Sequence, residues 1–142
     1  MMNLRKGFLM MALMLSVSVA MVSCGDDDSE TGASIVGTWN TLDVTRINCT
    51  SADDNGTVTL DCPSFCFVFT YNSDGTLSST YTDPNNGAST DTGTYTISGN
   101  SLTQCESGDC ETSTFVLNGN TLVITSLEED SGCSVVVTLT KS

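Results

Sequence analysis

Cysteines and carboxylates are the residues of this chain that could do chemistry. Seven cysteines occur among the 142 residues, and six of them follow residue 24. Those six are Cys49, Cys62, Cys66, Cys105, Cys110 and Cys133. An even number of thiols in a small exported domain predicts that they pair as disulfide bonds. A zinc cluster is the alternative for the same thiols, although an oxidising compartment favours disulfides over it.

The composition argues against catalysis. The chain contains no histidine, which removes the usual general base, the common activator of serine and cysteine nucleophiles, and the commonest metal ligand. Aspartate and glutamate total 17, but no pair of them stands in a recognisable acid–base arrangement. We therefore predict no catalytic residue, no cofactor and no enzyme activity.

One stretch of acidic residues invites a calcium interpretation. Asp53-Asp54-Asn55-Gly56 resembles the start of a calcium loop, but Cys62 stands where such a loop needs its last carboxylate. A solvated acidic rim is the simpler interpretation, and no metal site is predicted. After residue 23 only Arg46 and Lys141 are basic, so nucleic acid is excluded as a partner for want of clustered cations.

The N-terminal segment 1–23 has the layout of a secretory signal peptide. Arg5 and Lys6 are followed by the apolar run 8–22, and small Ser23 comes last. The run is short for a membrane-spanning helix, which needs about 20 apolar residues, so a permanent membrane span is the weaker alternative.

Met21-Val22-Ser23-Cys24 resembles the lipobox of bacterial lipoproteins, with Met21 where the family usually has leucine. The resemblance implies cleavage before Cys24 and attachment of fatty acid, such as palmitate, to that residue. The acidic run 25–30 that follows is similar to the surface-export signal of Bacteroidota lipoproteins. Residues 24–34 are thus interpreted as a lipidated acidic tether to the outer membrane, exposed at the cell surface.

The remaining chain predicts β-strands only. Short runs rich in Thr, Val, Ile, Phe and Tyr alternate with turns of Gly, Asn and Asp. Eight strands are predicted, at 38–47, 65–71, 76–82, 92–98, 101–105, 110–117, 121–127 and 133–140.

Internal repeats favour an up-and-down order of these strands. The hairpin sequences 95–102 and 115–122 share the pattern aromatic-x-aliphatic-x-Gly-Asn-x-Leu, and 71–77 is a looser third copy with an Asp-Gly turn. Consecutive hairpins predict a meander, and closing it into an eight-stranded barrel removes the two unpaired edges. An open two-sheet sandwich is the alternative.

Three motifs in order resemble the lipocalin-like domains of Bacteroidota lipoproteins: Ile35-Val36-Gly37-Thr38-Trp39, Phe69-Thr-Tyr-Asn-Ser-Asp-Gly75 and Gly93-Thr-Tyr-Thr-Ile-Ser-Gly-Asn-Ser-Leu102. The resemblance covers about residues 35–141, and 35–142 is taken as the domain. It implies an eight-stranded up-and-down barrel in which Trp39 plugs the closed end and Lys141 covers it.

In such a barrel alternate connections lie at opposite ends. The tight turns 72–75, 99–100 and 118–120 fall at one end with both ends of the domain, and the long connection 48–64 falls at the other. All six cysteines are expected at that second end. Cys105 should pair with Cys110, and Cys49 and Cys133 should each pair with Cys62 or Cys66. The acids expected at the same end, mostly in its loops, are Asp53, Asp54, Asp61, Asp83, Asp91, Glu106, Asp109, Glu111, Glu128, Glu129 and Asp130.

Function is predicted only by class: a non-catalytic protein that binds a small apolar ligand or an extracellular macromolecule at the loop end. The side chains that could line a pocket are Phe67, Phe69, Tyr71, Tyr95 and Phe115. Packed core is the favoured interpretation of the aromatic stripe Phe65, Phe67, Phe69 and Tyr71. The alternative function is a structural or protein-interaction barrel, inhibitor-like, with a filled interior.

Overall fold

The computed structural model describes residues 34–142. The predicted signal peptide and the predicted lipid site at Cys24 lie outside the described residues. Nine strands and one short 3-10 turn (Ala52–Asp54) follow in order. The strands are β1 (Gly37–Ile47), β2 (Gly56–Thr59), β3 (Cys66–Tyr71), β4 (Thr76–Asp83), β5 (Gly87–Ser98), β6 (Ser101–Glu106), β7 (Asp109–Asn118), β8 (Thr121–Glu128) and β9 (Cys133–Lys141).

The strands form one closed antiparallel barrel. From β3 to β9 each strand pairs with the next, and β9 returns to pair along β1. The first half of β1 pairs with β3, and its second half pairs with β2 on the same side. The barrel wall therefore has eight positions, with β2 continuing the place of β3. The predicted up-and-down barrel is confirmed, and all eight predicted strands are present.

Two connections differ from the prediction. The connection 48–64 was expected to be a loop, but it contains β2, because Thr57 and Val58 supply side chains suited to pairing with β1. The connection 83–91 shortens to residues 84–86, since β5 begins at Gly87 and pairs with β4 over its whole length. The first residues of β5 are mostly polar and show no alternation with apolar residues, so the sequence did not predict this part of the strand.

The lower half of the barrel, at the end with the tight turns, holds the core. Its members are Ile35, Trp39, Tyr71, Leu77, Leu102, Leu122, Ile124 and Leu139, with Phe69, Tyr95, Phe115, Leu117 and Val137 packed against them. Because side chains alternate between the two faces of a strand, these residues identify the inward-facing positions on every main strand.

A bulge in β1 changes which residues face inward. The pairing of β1 with β9 shifts between Thr41 and Asp43, so the inward series runs through Trp39 and Thr41 and then continues at Val44 and Arg46. Leu42 is the extra residue of the bulge and is 43% exposed. Ile97 occupies an inward position of β5 but is 45% exposed, because it lies close to the turn at the closed end.

Candidate binding site at the open end of the barrel

The end of the barrel that holds the tight turns is closed by Trp39. The Trp39 ring is fully buried, and its indole Nε1 donates a 2.7 Å hydrogen bond to the carbonyl of Ile35. Lys141 Nζ lies 5.5 Å from the ring centroid, as the sequence predicts. Gly37 has a φ of 137°, and a Cβ there would lie 2.9 Å from Lys141 Cε. The motif of Gly37 and Trp39 thus seals this end.

Four of the five residues predicted to line a pocket belong to the packed lower half. Tyr71 is 1% exposed and meets Tyr95 edge to face, with ring centroids 5.0 Å apart. Phe69 stacks on Tyr71 at 6.5 Å, and Phe115 packs against the same core. The structure brings these residues together as a floor, which agrees with the core interpretation. Phe67, one inward position above Phe69, faces the space higher up.

A polar layer lies directly above this floor. Gln104 Nε2 donates a 3.1 Å hydrogen bond to the buried Tyr71 hydroxyl. Burial, and then the nearby charges of Glu106 and Tyr95, raise the pKa of Tyr71 above its ordinary value. Glu106 lies two residues after Gln104 on the same face of β6 and is half-buried, so its side chain is on the inner side of the barrel.

Four neighbouring strands carry carboxylates at inward positions above the polar layer. The inward series of β5 to β8 include Asp91, Glu106, Glu111 and Glu128, which we call the acidic wall. Glu106, Glu111 and Glu128 are half-buried, whereas Asp91 is exposed. The sequence placed these four residues at the correct end but on or beside loops. Each of them lies an even number of residues from a core residue on the same strand, and this spacing is the signal that could have predicted that they face inward.

Gly93 makes room for one member of the acidic wall. A Cβ at Gly93 would collide with the carbonyl oxygen of Cys105 and would lie 2.9 Å from Glu106 Cγ. Gly93 and Glu106 are paired across β5 and β6. The absence of a side chain at Gly93 therefore lets the Glu106 side chain lie over it.

One member of the acidic wall is neutralised. Arg46 Nη2 forms a 2.9 Å ion pair with Glu128 Oε1, and the Ser131 hydroxyl donates a 2.6 Å hydrogen bond to Glu128 Oε2. Both charged side chains remain about a quarter exposed, at 27% and 26%. Within residues 34–142, no ion pair reaches Asp91, Glu106 or Glu111.

The opposite side of the upper interior is apolar and aromatic. The inward positions of β1, β3, β4 and β9 at this height are Val44, Phe67, Tyr81 and Val135, which we call the apolar wall. The rings of Phe67 and Tyr81 are 4.7 Å apart, and Phe65 meets Tyr81 edge to face at 5.9 Å. The Tyr81 hydroxyl donates to Asp83 Oδ2 at 3.1 Å. The upper interior therefore has two faces of different chemistry.

Thr41 lies at the base of the apolar wall. It is paired with core residue Leu139, so it faces inward, and it is 1% exposed. Its hydroxyl has no hydrogen-bond partner among the described residues. In the order of the barrel strands β1 lies opposite β6, four pairings away in either direction, so Thr41 faces the side that carries Gln104 and Glu106.

Three disulfides cross-link the end opposite Trp39. Cys105–Cys110 joins β6 to β7, as predicted. The prediction for the other four cysteines is wrong: Cys49 pairs with Cys133, and Cys62 pairs with Cys66. The first bond forms because β1 and β9 are neighbours, which brings Cys49, two residues after the end of β1, to Cys133, the first residue of β9. The second is local and closes the turn before β3.

The outer wall carries two shallow clefts. One, of about 210 Å³, lies beside the Cys62–Cys66 bond and includes Asn40 and Val68. The other, of about 290 Å³, is lined mostly by serine and threonine of β6 to β9. Residues 34–142 contain no group of three or more Cys, Asp or Glu arranged to hold a metal ion. The same part of the chain contains no helix long and apolar enough to cross a membrane.

The comparison with protein families agrees with this geometry. The model described as "Lipocalin-like domain" matches residues 35–124, which is more than half of the chain. The chain belongs to the lipocalin-like domain family. The match begins four residues before Trp39 and ends within β8, so it includes most of the barrel and three members of the acidic wall. A comparison with curated proteins gives no match.

Proposed function

We propose that this lipocalin-like protein is a non-catalytic, lipid-anchored protein that binds a small ligand at the open end of its barrel. The single observation that carries the proposal is the contrast between the two ends. Trp39 and the packed core seal one end, whereas half-buried polar and aromatic side chains line the interior at the other. An eight-stranded barrel has an interior just wide enough to be filled by side chains or to hold one small ligand.

The anchor and its position complete the proposal. Cys24 as the lipid site and segment 25–34 as the tether follow from the sequence motifs. The tether would join the domain at the closed end, because β1 begins there. The ligand site would then face away from an outer membrane and toward the surroundings of the cell. Disulfides at the open end would suit an oxidising location.

A retained ligand is the direct test of binding. Protein produced from residue 25 onward, without lipid, is examined by native mass spectrometry after gentle purification. We expect an additional bound mass in the parent and in a Ser78→Trp variant, whose new ring lies on the outer face. Ser79→Trp places the ring on the inner face above Phe69 and should abolish the bound mass while circular dichroism stays unchanged. Equal retention by both variants would contradict binding inside the barrel.

The anchor is tested separately in cells. Growth with a radiolabelled fatty acid should label the parent, whereas a Cys24→Ala variant should lose the label and leave the membrane fraction. Protease added to intact cells should remove the parent domain if it is exposed at the surface. Equal labelling of the parent and Cys24→Ala would contradict acylation at that residue without affecting the proposal for the barrel.

A filled barrel that binds another protein is the second candidate. Exposed apolar side chains support it, since Val116 and Leu127 on β7 and β8 are each 65% exposed, and Val58 on β2 is 58% exposed. The mass measurement separates the two candidates, because an interaction barrel would carry no small molecule in the parent or in either variant.

A further inference from the structure

We propose that the ligand of the open end is a small organic cation, an ammonium ion that carries an apolar group. The inference rests on the proposed function and specifies the chemistry of its ligand. It follows from the two unlike walls of the upper interior, from the shortage of cations there, and from a buried hydroxyl that has no hydrogen-bond partner among the described residues.

The charges of the side chains at the open end indicate that the ligand is positively charged. The acidic wall contains four carboxylates, and the Arg46 guanidinium pairs with only Glu128 among them. Lys141, the only other base of the described domain, is at the closed end over Trp39. Half-buried carboxylates in a barrel interior have a reduced hydration shell, so a cationic ligand between them would be stabilised more than at the open surface. An anionic ligand would be repelled.

Spacing gives the size of the ligand. The carboxylates are spread over β5 to β8, and within residues 34–142 no three acidic or sulfur ligands converge on one metal position. A compact metal ion is therefore a poor fit. An ammonium group can contact one or two carboxylates while the rest of the molecule extends across the barrel.

The facing wall gives the other half of the ligand. Phe67 and Tyr81 form a tilted aromatic pair, and Val44 and Val135 flank it with aliphatic surface. Aromatic faces attract ammonium groups, and aliphatic side chains favour hydrocarbon. A molecule with one charged and one apolar portion satisfies both walls at once.

Thr41 supplies an independent polar contact. Its hydroxyl is almost completely buried, faces the interior below the apolar wall, and has no partner among residues 34–142. Such groups are uncommon, because an unsatisfied buried hydroxyl costs about 1–3 kcal/mol. Thr41 thus offers a hydrogen bond that the protein itself does not use.

The test compares three probes of one shape and different charge on the lipid-free protein at neutral pH. The probes are 2-phenylethylammonium, neutral 2-phenylethanol and anionic phenylacetate. We expect 2-phenylethylammonium to bind at least about tenfold more tightly than the alcohol, with no binding of phenylacetate. Amide shifts in NMR spectra should change at Val44, Phe67 and Val135. This comparison uses the parent protein and does not depend on any variant folding.

Matched variants test which carboxylates are involved. Glu106→Gln/Glu111→Gln should weaken binding of 2-phenylethylammonium by about tenfold or more. Asp53→Asn/Asp54→Asn removes the same total charge from the exposed turn and should leave binding unchanged. Equal weakening by both pairs, or binding of the alcohol as tight as that of the ammonium ion, would overturn the cationic ligand class. In the second case shifts at the inner residues would still support binding inside the barrel, whereas shifts confined to the outer wall would contradict that as well.

Discussion

At the scale of the residue, the polar groups of the interior differ in whether the protein satisfies them. Gln104 donates a hydrogen bond to the Tyr71 hydroxyl. The Glu128 carboxylate forms an ion pair with Arg46 and accepts a hydrogen bond from Ser131. Thr41 is the exception among the buried side chains of residues 34–142. The one buried side-chain group of residues 34–142 without a hydrogen-bond partner thus lies near the proposed site.

Thr41→Val should stabilise the protein without ligand. The substitution keeps the shape of the side chain and removes an unsatisfied hydroxyl, so we expect a gain of about 1 kcal/mol in the free energy of unfolding. Urea denaturation measures it. Thr38→Val is the control, because the Thr38 hydroxyl has a 3.1 Å hydrogen bond to Thr70 and its loss should bring no gain. A destabilised Thr41→Val protein would show that the hydroxyl already has a partner.

Gly93→Ala should destabilise the barrel. The new Cβ would overlap the backbone carbonyl of Cys105, which cannot move without disturbing the pairing of β5 with β6. We expect a loss of about 2 kcal/mol or more, measured by thermal or urea unfolding. Gly56→Ala is the control, since nothing lies within 4 Å of its Cβ position. If both variants have the same stability, the close approach of the Cys105 carbonyl to Gly93 does not require glycine at that position.

Alkaline pH should reveal the burial of Tyr71. Its pKa is raised in the folded state, so the neutral phenol stabilises the fold at all pH values below the ordinary value of 10.0. As pH rises above 10, only the unfolded chain ionises this group, and stability falls by up to about 1.4 kcal/mol per pH unit. Unfolding at pH 9 and at pH 11 measures the loss in the parent and in Tyr71→Phe. If Tyr71→Phe loses as much stability between pH 9 and pH 11 as the parent does, Tyr71 is not the group responsible for the loss.

At the scale of the element, the disulfides differ in the length of chain that they close. Cys49–Cys133 spans 84 residues and joins the first and last strands, whereas Cys62–Cys66 spans 4. Cross-links over longer loops restrict the unfolded chain more.

Removing the long-range bond should therefore cost more stability than removing the local one. We expect Cys49→Ala/Cys133→Ala to lose about 2–3 kcal/mol more than Cys62→Ala/Cys66→Ala, as measured by urea unfolding. Peptide mapping under non-reducing conditions checks that the remaining bonds keep their pairing. An equal loss in the two variants would mean that native contacts, not chain entropy, set the contribution of each bond.

The strands could be predicted well from the sequence, and the interior only in part. Alternation of apolar residues and Gly-Asn turns located eight strands, because both signals are local. The start of β5 lacked them, since Ser89, Thr90 and Asp91 are polar on both faces. The bulge at Thr41 could not be predicted either, because it depends on how β1 fits β9 and β3 together.

The disulfides show the same division between local and distant information. Cys105 and Cys110 are neighbours across one hairpin, so the spacing alone indicated their pairing. Cys49 meets Cys133 only because the barrel closes between β1 and β9. The predicted closure implied that neighbourhood, but the long connection was expected to reach both cysteines instead. The acidic wall was missed for a related reason, because carboxylates beside turns are normally solvated.

At the scale of the whole molecule, the barrel divides its chemistry along its axis. The closed end holds the indole and a lysine, the middle holds the packed core, and the open end holds carboxylates, aromatic rings and cross-links. This polarity would let one end serve the proposed anchor and the other the proposed ligand without interference between them.

The bond between Cys49 and Cys133 has one more consequence if, as proposed, the domain is exposed at the cell surface, where proteases can reach it. A single peptide cleavage between these two residues would leave the two pieces held in one covalent unit, and seven of the nine strands lie wholly within that interval. A cleaved molecule would migrate as one band in a non-reducing gel and as two after reduction. Cleavages in the loops around the proposed ligand site would thus accumulate while the protein stays in one covalent unit.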